Sequence, residues 1–532
     1  MDELVIAHMP ELRHFHELMY DGVSCWFDKG DIMSGRAAKS RDSGSRIPAA
    51  VGQRASNPRH DETQPLVESV LQLHRLIGNR ATAALLRPDA GGAAAHALVQ
   101  RVTGATVSKI DAARKAAENK IIKELPIQYS SEKNLNKITS LLSQAPTIKE
   151  INRIVKQLLA NAKEVLKRLA ADWKTVVEQK EDLSGIRIDF TGSDFHNNGQ
   201  QVLIITAPSG RKTVYKPRST EPDNALTGNS GSVISEFNKL NSKTKLPTME
   251  FTEKTAKGSA EPYSYVEFGN QTDEKNKKQI VTYYRQMGAL AVIAKLTGTD
   301  DLHQDNIMAT KTGPLVIDGE TAFLPHVMAA GSYIDTTIAP ALTQFYDDST
   351  NGFRTKDNPQ AIQTIRSKDM LTPSYKKAFF EGAEQTIKLI RKNKAAVTNL
   401  ILGKMKALSN ARLVPLQTSE FLELITQYGR DPDTTVKKAS SRVVAGLKFK
   451  GYAFDGSKNQ DLKTYLRQDF ARQDVPIFHY HPTSNEVEYH GVVIGSYGGD
   501  AIPVLVGKNI DWILTRGIKG FKADFQAEFD AQ

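Results

Sequence analysis

Thr297-Gly-Thr-Asp-Asp301-Leu-His303-Gln-Asp-Asn306-Ile-Met-Ala-Thr-Lys-Thr-Gly-Pro-Leu-Val-Ile-Asp318-Gly-Glu320-Thr321 is the stretch on which the reading of this 532-residue chain turns. Asp301 and Asn306 stand five apart in a polar loop, and a short apolar run, Leu315 to Ile317, delivers Asp318 and then Gly319. This is the layout of a phosphoryl-transfer site. One carboxylate takes the acceptor hydroxyl's proton, an amide five residues on holds a divalent metal, and a second carboxylate across a hairpin holds the same metal over nucleotide phosphates.

Working outward, Ile280, Tyr283, Tyr284, Met287, Leu290, Ala291 and Ala294 predict an amphipathic helix that ends at Gly298 and feeds this loop. Upstream, Ile186 to Val214 has strand period: Ile186, Ile188 and Phe190 alternate, and Val202-Leu-Ile-Ile-Thr runs to a Pro208-Ser-Gly turn. Lys212-Thr-Val-Tyr-Lys216 returns, placing Lys216 at a strand end, where kinase-like folds keep a phosphate-binding lysine. A helix with Val233, Phe237 and Leu240 and a strand from Tyr263 to Phe268 follow. Val107 to about Lys180 has helical period, as in Ile148, Ile151, Ile154, Val155, Leu158 and Leu159, with Pro126 and Pro146 as separators. Beyond Thr321 the pattern is helical to about Leu408, with an exposed loop near Asp347. Mixed strands and helices return after Val436.

The net charge of +10 favours acidic partners such as nucleotides. No Arg/Lys block with interleaved aromatics marks a nucleic-acid surface. Cys25 is the only cysteine, so neither an intrachain disulfide nor a Cys-rich zinc site can form, and a reducing compartment is expected. The longest apolar run, Gly288 to Ala294, is stopped by Lys295, far short of the ~20 residues a membrane span needs. The N-terminus lacks the order of a secretory signal. Residues 34–101 are rich in Gly, Ala, Ser, Arg and Pro, which predicts disorder with one helix at Val67 to Leu76. Leu71-Gln-Leu-His-Arg-Leu-Ile-Gly-Asn-Arg-Ala resembles a motif near the N-terminus of cargo of extracellular contractile injection systems; the alternative is a linker with one amphipathic turn.

Charge suggests the roles. Asn306 and Asp318 offer hard oxygens to Mg2+, Lys216 neutralises phosphates, and Asp301 orients or deprotonates a hydroxyl. His303 reads equally as a phosphate donor or a packed loop histidine. His479 and His481 alternate on an expected strand and read as a surface pair.

Five motifs in order resemble the dehydratase domain of class II lanthipeptide synthetases, the LanM type. They are Asp194-Phe-His196-Asn-Asn-Gly199, Val214-Tyr-Lys216-Pro-Arg218-Ser, Tyr265-Val-Glu267-Phe, Asp301-Leu-His303-Gln-Asp-Asn306-Ile and Leu315-Val-Ile-Asp318-Gly-Glu320-Thr. The resemblance covers about residues 180–532. It implies an α+β, kinase-like, two-lobed fold similar to lipid kinases, with helical additions and a largely disordered N-terminal segment. The expected divisions are 1–105, a helical region 106–182, and a kinase/lyase domain 183–532 with its N-lobe at about 183–270 and the rest at about 271–532.

The implied activity is phosphorylation of Ser/Thr side chains with ATP and Mg2+, then phosphate elimination to dehydroalanine or dehydrobutyrine. By resemblance Asp194, His196, Asp301 and His303 are catalytic, Lys216, Arg218 and Glu267 hold the nucleotide, and Asn306, Asp318 and Glu320 take the metal. For Asp194 and His196 the alternative is a polar hairpin entry. Elimination in the family uses an arginine and a threonine six residues later, which Arg412 and Thr418 match; a plain helix-cap arrangement is the alternative. A second arginine usual before the family's Pro-Thr pair is replaced here by Leu416-Gln417. Arg467 to Phe478 also resembles a late segment of that domain. The family's C-terminal zinc cyclase is not expected, so neither is thioether closure. Open alternatives are a kinase or other nucleotide-dependent transferase without lyase activity, and a peptide-binding scaffold. A Ser/Thr peptide or protein is the expected partner, in the bacterial cytoplasm or, with injection-system components, in a target cell.

Overall fold

The computed structural model describes residues 92–145, 147–172, 185–191, 193–196, 198–241, 244–255, 262–270, 277–303, 305–336, 338, 346–347, 352–353, 373–429 and 431–531. The expected helix at Val67 to Leu76, the motif at Leu71 and the segment up to residue 91 lie outside these. Residues 92–105, expected within a disordered segment, are instead the first part of helix α1 (Gly92–Glu124).

Three helices and a sheet share one buried cluster. After α1, Ser131 caps α2 (Glu132–Gln144) through the Asn134 N–H, and Thr147 caps α3 (Ile148–Ala171). Thr147 and Glu150 form a reciprocal cap, with the Glu150 N–H donating to Thr147 Oγ1 at 3.2 Å. Strands β1 (Arg187–Phe190), β2 (Leu203–Thr206), β3 (Lys212–Lys216), β4 (Phe251–Thr255) and β5 (Pro262–Glu267) lie in the antiparallel order β1-β2-β3-β5-β4. Gly210, at φ 86, supplies the left-handed step of the tight turn between β2 and β3.

Strand alternation decides what each face does. Tyr215, Tyr263 and Tyr265 face the helices and bury with Ile151, Leu158 and Leu169 of α3. Arg168 donates to the Tyr215 hydroxyl at 2.7 Å and lies over the Tyr263 ring. Asn134 donates to Ile188 O at 2.7 Å and accepts the Phe190 N–H at 2.8 Å, joining α2 to β1. The helices expected over 106–182 therefore complete the core of the first sheet. Val214, Lys216, Ser264 and Val266 take the opposite face.

That opposite face meets the hairpin β6 (Ile307–Thr310)–β7 (Gly313–Val316) and, through Lys216, α4 (Glu221–Thr227), while α5 (Val233–Leu240) and α6 (Lys277–Thr297) belong to a second, larger core. Helix α6 was expected to be amphipathic, yet Gln286 to Thr299 is buried without interruption. Its backbone touches α8 (Pro373–Lys392): a Cβ on Gly288 would run into Phe379 O, and one on Gly382 into Arg285 O. The buried Lys295 donates to Val327 O at 2.6 Å and Ala330 O at 2.7 Å, around the short helix α7 (Pro325–Ala329), and lies over the Trp512 ring. Gly298 at φ 60 ends α6 as expected.

The loop expected near Asp347 falls at two short paired strands, β8 (Tyr346–Asp347) and β9 (Gly352–Phe353). Helix α9 (Lys394–Ala407) leads to a second antiparallel sheet of β10 (Ala411–Leu413), β11 (Tyr452–Phe454), β12 (Phe478–His481), β13 (Glu486–Tyr489) and β14 (Val492–Tyr497). Its order is β10-β12-β13-β14-β11, and it begins before the expected return of strands after Val436. Helices α10 (Thr418–Tyr428), α11 (Pro432–Phe449) and α12 (Asn459–Arg472) pack on it, and α13 (Ile502–Ala531) packs on α7, α8 and α9. This sheet, α6 and α8 share one core, from Leu226 to Phe525. The chain is α+β, and among the described residues no helix is long and apolar enough to cross a membrane.

Candidate active site

The β6–β7 hairpin turns sequence spacing into geometry. Ile307 pairs with Val316, so Asn306 stands beside Ile317, whose N–H donates to Asn306 O at 2.9 Å. One residue on is Asp318. From the sheet above, Lys216 Nζ reaches Asp318 Oδ1 at 3.1 Å, Ile317 O at 3.0 Å and Asp223 Oδ1 at 3.0 Å. Arg218 donates to Asp223 Oδ2 at 2.9 Å, Asp318 Oδ1 at 2.5 Å and Glu320 Oε2 at 2.8 Å.

Asp223, on α4, was not anticipated. Its side chain is 2% exposed, and besides both cations it accepts the Gly319 N–H at 3.1 Å. Burial would raise its carboxyl pKa, but Arg218 and Lys216 hold it below the ordinary range. An acid pairing the strand lysine and also bonding the peptide after Asp318 fixes both partners in register. The only sequence signal was an acid seven residues after Lys216.

On the same face of the sheet as Lys216, Val214 and Val266 pack with Met249, Phe251 and, from the hairpin, Met308, Leu315 and Ile317 in a small apolar cluster.

Asp301 sits at φ 59, a left-handed conformation that costs a non-glycine residue about 1–2 kcal/mol. Its peptide is clamped on both sides: the Asp301 N–H donates to Asp300 Oδ1 at 2.8 Å, and Asn306 Nδ2 donates to Asp301 O at 2.8 Å. Burial pushes the Asp301 carboxyl up to about 6 against the pull of His303. His303 Nε2 stands 3.4 Å from Asp301 Oδ1. Its Nδ1 accepts the Asp305 N–H at 3.2 Å, and its Nε2 also lies 3.4 Å from Asn306 Nδ2. His303 thus turns to the carboxylate, in keeping with an orienting role.

Glu320 was expected as a metal ligand. The structure instead places it between two guanidiniums: Arg218 Nε and, from β10, Arg412 through Oε1. The Arg412 N–H also donates to Glu320 O at 2.9 Å. Burial alone would raise Glu320, yet Arg218 and Arg412 hold it down to about 2. In this arrangement Glu320 is a bridge between the two cations. It joins the Lys216 cluster to Arg412, whose pKa rises above the ordinary range because Glu320 outweighs its burial.

Asp194 and His196 come to the Arg412 side. Burial raises the Asp194 carboxyl while Arg412 opposes. Burial and Arg412 lower His196 to about 4. His196 Nδ1 lies 2.9 Å from Val475 O, an atom that only accepts, so Nδ1 carries the proton and Nε2 the lone pair. The loop is held from two directions. Asp474 accepts the Asn198 and Gly199 N–H groups at 2.8 Å each, and Asn161 of α3 donates to Asn198 O at 3.2 Å. Asp474 falls in the Arg467 to Phe478 segment singled out by resemblance, whereas no motif signalled Asn161.

Two expected positions stand apart. Glu267 is exposed at the far end of β5, where its carboxylate accepts the Glu250 N–H at 3.1 Å. Lys216 pairs with Ser264 in register, which leaves Glu267 three residues, roughly 10 Å, along the strand. The nucleotide role expected for Glu267 is thus corrected: its side chain is not part of the Lys216 cluster. Thr418 is the first residue of α10, half-buried, five residues past β10. The pair His479 and His481 is not a free surface pair. His479 stands opposite Arg412 in β10–β12 and opposite Glu488 in β12–β13. Burial lowers it to about 4. His481 bonds Ser409 O at 2.8 Å and Glu488 at 3.1 Å.

A family described as "Domain of unknown function (DUF4135)" matches residues 148–352. That window runs from the start of α3 to β9 and takes in Lys216, Asp223, Asp301, Asn306, Asp318 and Glu320; Arg412 and Thr418 lie beyond it. Over 176 residues, 33% of this chain, the sequence is 27% identical to "Lacticin 481/lactococcin biosynthesis protein LcnDR2" of Lactococcus lactis subsp. lactis. The matched stretch spans 19% of that protein, so the chain is similar to about a fifth of its length.

Proposed function

We propose that the protein transfers the γ-phosphoryl group of ATP to Ser and Thr hydroxyls of a peptide or protein and then eliminates phosphate, leaving dehydroalanine or dehydrobutyrine. The observation that carries this reading is the hairpin register that sets Asn306 beside Ile317, with Asp318 3.1 Å from Lys216. The similarity to a protein named for lacticin 481/lactococcin biosynthesis supports a peptide as acceptor.

The donor set fits Mg2+. Asn306 directs its amide N–H to Asp301 O, which leaves its carbonyl oxygen as the atom that would ligate a metal together with the Asp318 carboxylate. Among the described residues no three His, Cys, Asp or Glu side chains form a metal cage, so an ion here would complete its shell with phosphate oxygens and water. Bound there, Mg2+ would neutralise charge on the transferring phosphate.

The chain's own groups supply the rest. Asp301, held at its left-handed turn, takes the acceptor hydroxyl's proton as that oxygen bonds the γ-phosphorus and ADP leaves. Lys216 and Arg218 offset phosphate charge. In elimination a base takes the Cα proton, the Cα–Cβ double bond forms, and the Cβ–O bond breaks with its electron pair leaving on phosphate. Arg412 is the cation for that phosphate, and His196 Nε2 is the unprotonated nitrogen on the same side. The engagement of Arg412 by Glu320 and the Leu416-Gln417 departure favour, as a second reading, a kinase that stops at the phosphorylated product. Intact mass of Ser/Thr-rich peptides incubated with the protein, ATP and Mg2+ separates the cases. Loss of one water supports the full reaction, gain of one phosphate the kinase alone, and unchanged mass with every peptide refutes both.

A further inference from the structure

A second charged network lies behind Asp301, and its donors come from the other end of the chain. Asp300 accepts from Lys450 Nζ at 3.1 Å and from the Asp301 N–H at 2.8 Å, so one carboxylate bonds both the lysine and the strained peptide. The Asp300 backbone is held too: its N–H donates to Thr321 O at 3.2 Å and its carbonyl accepts from Thr321 Oγ1 at 2.6 Å.

Lys450 is itself held in place. It caps the end of α11, and Gly451, at φ 81, makes the left-handed turn into Tyr452 of β11. Lys450 Nζ lies 3.2 Å from His326 Nε2, and an ammonium can only donate. His326 Nδ1 therefore carries the ring proton and faces the Tyr452 hydroxyl at 3.0 Å. Tyr452, His326, Lys450 and Asp300 form one chain of bonds that ends on the Asp301 peptide.

We propose that Lys450 is a positioning residue for Asp301: acting through Asp300, it holds the Asp301 peptide in its left-handed turn and ties the second sheet to the acceptor side of the site. The consequence for catalysis rests on the phosphotransfer reading above; the conformational claim does not. Removing Lys450 releases Asp300 from its cation and frees it to swing away from the Asp301 N–H. The nucleotide side, built by Lys216, Asp223 and Asp318, keeps all its contacts.

The test compares the full-length protein with Lys450→Met, Lys450→Arg and, as a second route to the same bond, Asp300→Asn, each checked for folding by circular dichroism. Amide hydrogen exchange needs no ligand. In Lys450→Met the segment containing Asp301 and Leu302 exchanges about tenfold faster, with β12 and β13 unchanged, and Lys450→Arg restores protection. With ATP, Mg2+ and Ser/Thr-rich peptides, phosphate incorporation by Lys450→Met loses about tenfold in kcat at unchanged KM for ATP. Unchanged exchange near Asp301 in folded Lys450→Met and Asp300→Asn overturns the proposal, as does a rise in KM for ATP at full kcat. A wild-type protein that incorporates no phosphate refutes the phosphotransfer reading alone, since exchange still decides whether Lys450 holds the turn.

Discussion

Glu320→Gln removes one charge and almost no volume from the bridge between Arg218 and Arg412, and its cost can be worked from the structure. The Glu320 carboxyl is held at about 2 against an ordinary 4.5, and its side chain is 11% exposed, so solvent screening removes little of the effect. A shift of about 2.5 units at 1.36 kcal/mol per unit is about 3 kcal/mol of stability at pH 7. The sign follows from the direction of the shift. A carboxyl whose folded pKa is depressed stabilises the fold above its unfolded pKa of 4.5, and that contribution is lost as pH falls toward 2. Wild type should therefore exceed Glu320→Gln by about 3 kcal/mol at pH 7, and by less than half of that at pH 3. Urea unfolding at the two pH values measures this. Arg412→Met and the double variant complete a cycle whose coupling isolates the Glu320–Arg412 contact from that with Arg218. A difference under about 1 kcal/mol at pH 7, or one that is flat between pH 7 and pH 3, would refute the reading of Glu320 as a charged bridge.

Asp223→Asn leaves Lys216 with Asp318 alone and Arg218 with Asp318 and Glu320; kcat/KM for ATP should fall about 100-fold with the fold retained, as read by phosphate incorporation into Ser/Thr-rich peptides. Arg412→Ala should let phosphorylated product accumulate in place of dehydrated product, and intact mass showing unaltered dehydration would remove Arg412 from elimination. Gly288→Ala forces apart the touching backbones of α6 and α8 and should cost about 3 kcal/mol in urea unfolding, a penalty that an adjustable contact would not show.

What was legible in the sequence was what depends on neighbours along the chain. Lys216, Asn306 and Asp318 could be read because strand period and hairpin pairing convert spacing into position over a dozen residues. Asp223 could not, because an acid in a seven-residue helix has no distinctive spacing; its meaning comes only from the packing of α4 under β3. Glu320 was visible in Asp-Gly-Glu, but its bridging position was not. Its two partners come from positions 218 and 412, and no local pattern shows that both guanidiniums arrive at one carboxylate. Helix α6 looked amphipathic because its Ala and Gly positions read as neutral; they are buried because α8 approaches closely enough to need small residues there. His479 and His481 alternate as a half-exposed strand should, but Glu488, which faces them, is brought by a later strand.

The second sheet bears on how far the two proposed steps can be separated. Sequence order places Arg412 and Thr418 after the phosphoryl-transfer loop, which suggests an elimination module appended to a self-sufficient kinase. The contacts argue otherwise. Arg412 neutralises Glu320, which pairs with the same Arg218 that holds Asp223 and Asp318. Lys450 reaches Asp301 through Asp300, and Asp474 and Val475 hold the loop of His196. Lys216, Arg218 and Arg412 are matched by Asp223, Asp318 and Glu320, so the strip balances in charge only when both ends of the chain contribute. Cutting the chain before β10 would strip Glu320 of one cation, Asp300 of another, and the shared core of the second sheet. On the proposed reading, a kinase without lyase activity would be reached by a point change at Arg412 and not by truncation, because the elements assigned to elimination also hold the groups assigned to phosphotransfer.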